Sequence, residues 1–303
     1  MEEGKPSGTA IFASLSRAAH IFLDGEPKIL RDDFALGLSG LQNEVELKNA
    51  LKALRTQFRQ RTTPELAQCV LHTMRGFAVL RHRYTEDELT KAINRGISQY
   101  VILGAGLDSF AYRRRDLENK LHIFEVDHPA SQQWKKLRLK ELNISLPCNL
   151  AFVPVDFEKQ ALTDELCNHG YKKNMPTFFS WLGVTCYLTE AAVFQTLREI
   201  ASMLPGSEVV FDYALSELLL SDGERKIWAL GQANPSEPDI TQFEPNSLAK
   251  RLRETGFSEV LDFGTKQANA RYFNGRTDEL SPSVLNGLSA SVIRLFHIMK
   301  AKV

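Results

Sequence analysis

The sequence is poor in cysteine, and its four cysteines show no pairing pattern. Cys69, Cys148, Cys167 and Cys186 form no CxxC motif and lack the spacing of a secreted disulfide framework. The residues that follow Met1 also lack the apolar core of a secretion signal. Reduced thiols and a cytoplasmic location are therefore expected.

The chain also has no net charge and no long apolar run. Its 37 basic residues balance its 37 acidic residues, so no overall field favours nucleic acid or an anionic membrane. The most apolar stretch, Thr177–Leu188, is shorter than the roughly 20 residues that a membrane-spanning helix needs. The basic run Lys135–Lys140 alternates with leucines and is typical of a solvated helix face. We expect a soluble protein with neither a nucleic-acid nor a membrane partner; its oligomeric state is not indicated.

Recognisable catalytic patterns are missing as well. Among the seven histidines, no Ser-His-Asp set and no metal-ligand spacing stands out. No Tyr-x-x-x-Lys pair of an oxidoreductase is evident, and there is no internal repeat. The sequence therefore indicates no catalytic base and no metal site.

What the sequence does contain is a strand that runs directly into a glycine-containing turn. Tyr100–Leu103 is mostly β-branched or aromatic, Gly104, Ala105 and Gly106 follow, and a helix-like segment begins near Phe110. Glycine permits backbone conformations closed to other residues and lets a ligand approach the main chain. The free N–H groups of a helix start would also face this loop. The pattern predicts a cofactor-binding turn at the carboxyl end of a parallel strand.

A second apolar run, Leu121–Asp127, ends in acidic residues. Glu125 lies 21 residues after Gly104, and Asp127 follows it. A carboxylate at the tip of the second strand can accept hydrogen bonds from both ribose hydroxyls of a nucleoside. The third glycine of the dinucleotide fingerprint is missing, since Ser109 stands there, and this weakens an NAD interpretation. The alternative is that the glycines only turn a strand into a helix.

Four blocks of sequence, taken together and in this order, carry a family resemblance. They are Tyr100–Tyr112, Phe124–Pro129, Val153–Phe157 and Trp181–Leu188. The chain resembles the S-adenosylmethionine-dependent methyltransferases related to leucine carboxyl methyltransferase, and most of all a bacterial branch abundant in mycobacteria. The resemblance extends from about Ser7 to the C-terminus. It implies S-adenosylmethionine as the cofactor and a class I methyltransferase fold, α/β and Rossmann-like.

The order of the predicted elements agrees with that fold. No strand pattern appears before residue 98, so we expect a helical cap over residues 1–97. A core over residues 98–303 would follow, with an insertion around 216–250 and a central, mostly parallel seven-stranded sheet.

Particular residues refine these expectations. Pro154 in the third strand predicts an edge position, and the apolar stretch Thr177–Gly183 predicts a central strand. Thr85, followed by acidic residues, is typical of a helix start. Phe257–Phe263 and Ser291–Ile298 are predicted as the final strands, one of them antiparallel.

Arginines are the predicted ligands of the cofactor's methionine end. A guanidinium matches a carboxylate in a bidentate way, and the resemblance assigns that role to Arg81, with Arg83 in reserve. Without the resemblance, a surface ion pair with Glu86 or Asp87 would explain Arg81 equally well. The resemblance also implies an N-terminal basic residue that closes over the cofactor, which makes Arg17 a candidate; the alternative is a surface arginine.

The resemblance implies further cofactor contacts. Asp156 would lie beside the adenine and Phe157 could stack on it, unless Asp156 instead caps a helix. Asp108 belongs to the glycine loop. Relatives carry a glutamate where Leu182 stands, which removes one expected contact with the cofactor's ammonium; backbone carbonyls near Gly183 could replace it.

On the substrate side, Asp212 and Tyr213 are candidates because they end the predicted fifth strand, and the carboxyl ends of the strands face the ligand crevice. The resemblance adds Tyr187, which matches a tyrosine of the family in the loop after the fourth strand; the alternative is that it packs beneath that loop. The expected function is methyl transfer to the oxygen of a carboxylate or hydroxyl on a small molecule. A carboxylate acceptor needs no base at neutral pH, whereas a hydroxyl would. Two alternatives remain: a non-catalytic protein that keeps the cofactor fold, and an NAD-dependent oxidoreductase.

Overall fold

A central sheet organises the molecule. The computed structural model describes residues 7–155, 162–231, 239–281 and 294–303. The strands are β1 (Gln99–Leu103), β2 (His122–Asp127), β3 (Leu150–Pro154), β4 (Thr177–Trp181), β5 (Glu208–Leu215), β6 (Gln242–Phe243), β7 (Glu259–Phe263) and β8 (Phe296–Lys302). Seven of them lie side by side in the order β3-β2-β1-β4-β5-β8-β7, and the short β6 pairs with β5.

The strand directions follow the pattern expected for a class I methyltransferase. β1 to β5 are mutually parallel where they pair, whereas β8 runs antiparallel to both β5 and β7. β4 is buried along its whole length between β1 and β5, and β3, which contains Pro154, lies at the edge. The predictions of a mostly parallel seven-stranded sheet, a central β4 and an edge β3 are confirmed.

Helices precede, connect and follow the strands. They are α1 (Gly8–Leu23), α2 (Ala35–Leu38), α3 (Glu44–Arg59), α4 (Pro64–Asn94), α5 (Phe110–Arg113), α6 (Pro129–Glu141), α7 (Leu162–Asn168), α8 (Glu190–Ala201), α9 (Asp222–Gly231), α10 (Pro245–Thr255) and α11 (Thr265–Ala268). Within the described residues, the first four all precede the first strand, and no helix is long and apolar enough to cross a membrane.

The helix α4 belongs to the N-terminal helical region and places its own side chains, among them Arg81, near the tips of the strands. It starts at a cap formed by Thr63, whose hydroxyl accepts a hydrogen bond from the Leu66 amide, with Pro64 in the first turn. Its middle packs Phe77 and Leu80 against one face of the sheet, in a cluster with residues of β1, β4 and β5. Because α4 lies along that face, the position of Arg81 depends on the same packing.

The predicted helix start at Thr85 is wrong. α4 is continuous through this position, and the Thr85 hydroxyl donates to the carbonyl of Arg81 at 2.7 Å, which is the bond of a threonine inside a helix. The acidic residues after Thr85 imitate a first turn, but one of them, Glu88, pairs with Lys300 at 2.8 Å. Tertiary contacts, and not the start of a helix, therefore account for the acidic residues after Thr85.

The last strand lies further along the chain than predicted. The expected strand was Ser291–Ile298, whereas β8 is Phe296–Lys302, and residues 291–293 lie outside the described residues. Lys300 lies in β8 beyond the predicted end of the strand. Its ammonium forms ion pairs with Glu88 at 2.8 Å and Glu208 at 3.0 Å, and its side chain is 14% exposed.

Candidate functional site

The glycine loop after β1 is held against the tip of β2. Gly104 and Gly106 have φ angles of +64° and +43°, which favour glycine. The Ala105 amide donates to the Val126 carbonyl at 3.0 Å, and the Gly106 amide donates to Oδ2 of Asp127 at 2.5 Å. Two neighbouring strand tips are thus joined through the main chain of the loop.

Replacement of Gly104 by alanine is expected to destabilise the fold by more than its φ angle alone would. A Cβ there would lie 2.5 Å from Cγ2 of Val184, and an alanine at positive φ costs about 1–3 kcal/mol by itself. The matched control is Gly170→Ala, at φ +92° with nothing within 4 Å of the added atom. Urea unfolding should show a larger loss for Gly104→Ala, partly restored by Val184→Ala; equal losses would contradict the steric contact.

Of the two acids predicted to bind ribose, only Asp127 lies at the strand tip. Its Oδ1 accepts from the His128 amide at 2.7 Å, and burial raises the pKa of its carboxyl, opposed by these backbone donors. Glu125 is fully buried two residues earlier and forms an ion pair with Lys135 at 2.7 Å. The structure does not bring Glu125 to the tip, so the ribose prediction rests on Asp127.

Lys135 is not the solvated residue that the basic run predicted. Its side chain is 1% exposed, and its ammonium lies 5.5 Å from the centre of the Tyr112 ring. Burial raises the pKa of the Glu125 carboxyl to about 7, with Lys135 opposing the rise. No local pattern in the sequence indicated this ion pair.

A second cluster joins α4 to the tip of β4 and to Asp212, which lies inside β5 and not at its predicted end. Nη1 of Arg81 donates to Oδ2 of Asp212 at 2.9 Å, and the Gly183 amide donates to Oδ1 of the same carboxylate at 2.6 Å. The Thr185 hydroxyl donates to the Asp212 carbonyl at 2.5 Å. The Arg81 and Asp212 side chains are 14% and 4% exposed. The structure thus brings together three predicted residues and adds Thr185, which the sequence did not indicate.

The Arg81 guanidinium still has an unused donor. Its Nε is buried and has no hydrogen-bond partner in the described part of the chain. The guanidinium packs so closely on Gly183 that a Cβ there would lie 2.8 Å from both Nη1 and Nη2, and Gly183 has a φ of +71°. The Arg81 guanidinium can therefore lie beside β4 because position 183 has no side chain.

Asp108 lies beneath the loop rather than at its surface. Its Oδ1 accepts from the Phe110 amide at 2.7 Å, and its Oδ2 lies 3.5 Å from Nε2 of His82. Burial raises the pKa of Asp108, but His82, Lys135 and Arg17 together outweigh it and lower that pKa. Burial and nearby arginines lower the pKa of His82. Since α5 is a single turn whose first amide Asp108 already binds, the predicted free helix start is not available.

Leu182 lines a narrow crevice next to these residues, with no room for a water molecule. Glu86 and Asp108 line the same crevice. The carboxylates of Glu86 and Asp108 thus lie near Leu182, the residue that stands where relatives have a glutamate. Neither carboxylate comes from position 182 itself.

Arg17 is neither a surface residue nor a free ligand. Its side chain is 3% exposed; Nε donates to Asp32 at 2.7 Å and Nη2 to the Leu107 carbonyl at 2.6 Å. α1 lies over the loop, because a Cβ on Gly106 would be 3.3 Å from that of Ala10. Arg17 therefore fastens the covering helix to the loop through Leu107.

The remaining candidates are Tyr213, Tyr187, Asp156 and Phe157. Tyr213 is 1% exposed, and its hydroxyl donates to Asp262 at 2.8 Å. Tyr187 lies in the turn after β4, partly buried against the apolar core. Asp156 and Phe157 lie outside the described residues. No group of acids, histidines and cysteines suited to a metal occurs among the residues that the structure describes.

Comparison with known proteins identifies the group to which this architecture belongs. A model of the family "Leucine carboxyl methyltransferase" matches residues 10–201. YktD of Bacillus subtilis, provisionally named an S-adenosyl-L-methionine-dependent methyltransferase, is 34% identical over 296 residues, covering 93% of this chain and 96% of YktD. A similarly named Mycobacterium ulcerans protein is 28% identical over 208 residues, covering 67% of this chain and 64% of that protein.

A solved structure supports the fold independently. The crystal structure of a provisionally named methyltransferase from Thermobifida fusca superimposes with a TM-score of 0.58 at 14% identity, covering 99% of this chain and 96% of that one. At that identity the likeness concerns the fold alone, and it confirms the class I methyltransferase architecture. With the match of the family model and of YktD, the chain belongs to the leucine carboxyl methyltransferase family of S-adenosylmethionine-dependent methyltransferases.

Proposed function

We propose that the protein transfers a methyl group from S-adenosylmethionine to an oxygen of a small molecule, either a carboxylate or a hydroxyl. The observation that carries the proposal is the row of polar groups along four neighbouring strands, three of them at strand tips. Asp127 ends β2, the glycine loop follows β1, Gly183 follows β4 and Asp212 lies in β5. Three strand spacings span about 14 Å, a length suited to a nucleoside joined to an amino acid.

The residues at the two ends of this row suit the two ends of such a cofactor. Asp127 offers carboxylate oxygens at the β2 end, where ribose hydroxyls need acceptors. Arg81 offers a guanidinium at the β4 end, where a carboxylate needs donors. The unpartnered Nε of Arg81 supports this assignment, because buried donors are almost always satisfied. The glycines between them expose the main chain to the ligand.

The missing glutamate at position 182 has a candidate replacement. Asp212 comes from the adjacent strand, and its carboxylate is bound to the Gly183 amide at 2.6 Å, directly after Leu182. An ammonium needs only acceptors, and Asp212 supplies a charged one. Asp212 therefore serves as the counter-charge both to Arg81 and to the cofactor's amino group.

The chemistry asks little of the protein beyond positioning. The bound cofactor supplies an electrophilic methyl group on a sulfonium. The chain's contribution is orientation of the acceptor oxygen and exclusion of water; α1, fastened by Arg17, covers the loop on one side. A carboxylate acceptor is already ionised at neutral pH. This favours a carboxylate over a hydroxyl, since the described strand tips present no evident base.

Calorimetric titration with S-adenosylmethionine tests the cofactor site. We expect binding that weakens about tenfold to a hundredfold in Asp127→Asn, because the amide keeps one acceptor oxygen in place of two; loss of a buried charged acceptor costs about 1.5–3 kcal/mol. Asp262→Asn is the matched control, since Asp262 lies on β7 and binds the hydroxyl of Tyr213. Binding of NAD, or equal effects of the two variants, would contradict the assignment.

The product decides the acceptor class. With a methyl-labelled cofactor, acceptors that share a carbon skeleton and end in a carboxylate, a hydroxyl or an amine can be compared directly. Label released as methanol by mild base indicates an ester, whereas label that survives indicates an ether or an amine. We expect base-labile label. Tight cofactor binding without any transfer would instead favour a non-catalytic member of the family, which the Leu182 substitution makes a specific alternative.

A further inference from the structure

An open cavity lies between α1, α3 and α4. It measures about 240 Å³, near the lower end of ligand pockets, which begin at about 300 Å³. Within the described chain, none of its lining residues belongs to the predicted cofactor site. The floor is apolar and is formed by Phe12, Leu23 and Leu71. One side is cationic and is formed by Lys48, Lys52 and Arg55.

The helix that forms the cationic side is poorly packed. Of the 16 residues of α3, only Leu47 is buried. A helix in a folded protein is stabilised chiefly by burial of one apolar face, and α3 leaves most of that stabilisation unused. The space between α3 and its neighbours is therefore a gap that a ligand could fill with favourable contacts.

The face of α3 that lines the cavity carries positive charge. Lys48, Leu51, Lys52 and Arg55 line it, at spacings of three and four residues that place them on one side of the helix. Lys48 pairs with Glu44 at 2.6 Å. The side chains of Lys52 and Arg55 have no ion pair or hydrogen bond with any residue that the structure describes.

The opposite wall does not neutralise these two cations. Arg75 binds both carboxylate oxygens of Asp24, at 3.0 and 2.8 Å, and Glu279 at 2.7 Å. Glu279 also lies 3.0 Å from Nε2 of His72, and these two partners lower its pKa to about 2. Glu279, the acidic residue that lines the cavity, is thus already paired with Arg75 and His72. This leaves an excess of positive charge beside an apolar floor.

We propose that this cavity binds a small monocarboxylate with a short apolar chain. Lys52 and Arg55 bind the carboxylate, and the chain lies on Leu71 and the cavity side of α1. The ligand relieves the repulsion between neighbouring cations and buries the apolar floor. This site is distinct from the strand tips and does not depend on methyl transfer.

Three probes of equal chain length test the proposal by calorimetry: octanoate, 1-octanol and octylammonium. We expect octanoate to bind, octanol to bind about tenfold more weakly and octylammonium not to bind, with octanoate binding weakened by added salt. Lys52→Glu with Arg55→Glu should reduce octanoate affinity at least about tenfold. Both positions are exposed, so the fold should tolerate these changes, and thermal melting checks this.

The matched control is Lys140→Glu with Lys226→Glu, which makes the same change in net charge at exposed positions outside the cavity. It should leave octanoate affinity within about twofold. Equal binding of all three probes, equal effects of the two double variants, or binding to anionic phosphatidylglycerol vesicles that octanoate does not displace would each overturn the proposal. Parallel titration with S-adenosylmethionine keeps the two sites distinguishable, because neither double variant should alter it.

Discussion

Replacement of Arg81 by methionine is expected to destabilise the protein by about 3–5 kcal/mol, because it leaves a buried carboxylate without its cation. The carboxylate is that of Asp212, 4% exposed and bound to Arg81 at 2.9 Å. The same change should abolish measurable binding of S-adenosylmethionine. Urea unfolding and calorimetric titration of the variant measure the two effects separately.

A double variant distinguishes the structural role of the Arg81–Asp212 pair from its role in binding. Arg81→Met with Asp212→Asn removes both charges and keeps an acceptor for the Gly183 amide, which Asp212 binds at 2.6 Å. Stability should largely return, because neutral replacement of a buried ion pair is often close to neutral in free energy. Cofactor binding should not return. Recovery of binding together with stability would show that the Arg81–Asp212 pair only supports the fold.

Replacement of Lys135 by methionine is expected to have the second large effect, a destabilisation of about 3 kcal/mol at pH 8. Lys135 and Glu125 are each 1% exposed in their side chains and lie 2.7 Å apart. Without Lys135, the Glu125 carboxylate has no cation to offset its burial and must be protonated. The loss should therefore be smaller at pH 5.5 than at pH 8, which unfolding at the two pH values measures.

The wild-type protein should show the same pH dependence in weaker form. Burial raises the pKa of Glu125 from 4.5 to about 7, so protonation of this carboxyl favours the folded state. A raised pKa contributes stability that is complete below pH 4.5 and is lost as the pH rises through 7. Glu125→Gln with Lys135→Met removes the titration and is the control; parallel pH profiles would contradict this account.

The sequence was informative where local chemistry dictates structure. The strand that enters Gly104 predicted the loop, and both glycines there have positive φ. Pro154 predicted an edge strand because proline cannot donate to a central ladder. Thr63 and Pro64 start α4 through a local cap, because the Thr63 hydroxyl accepts from an amide of the first turn. In each case the deciding interaction lies within a few residues along the chain.

It was less informative where a long-range partner decides the outcome. Lys135 looked solvated because neither its own helix nor its neighbours reveal Glu125 beneath it. Thr85 looked like a helix start because acidic residues follow it. One of these, Glu88, is instead the ion-pair partner of Lys300, more than 200 residues away. The pairing of Arg81 with Asp212 also joins distant positions. Such contacts override local preference, and a single sequence does not display them.

The position of β8 has a consequence for how the protein is assembled. β7 is joined to the sheet through β8, which lies between it and β5. On the ribosome, residues 259–263 emerge first and have no strand beside which to settle until residues 296–302 have been made. A chain interrupted between them would expose the edge of β5, an open template for association with other chains. The order of synthesis and the order of pairing therefore differ at this end of the sheet.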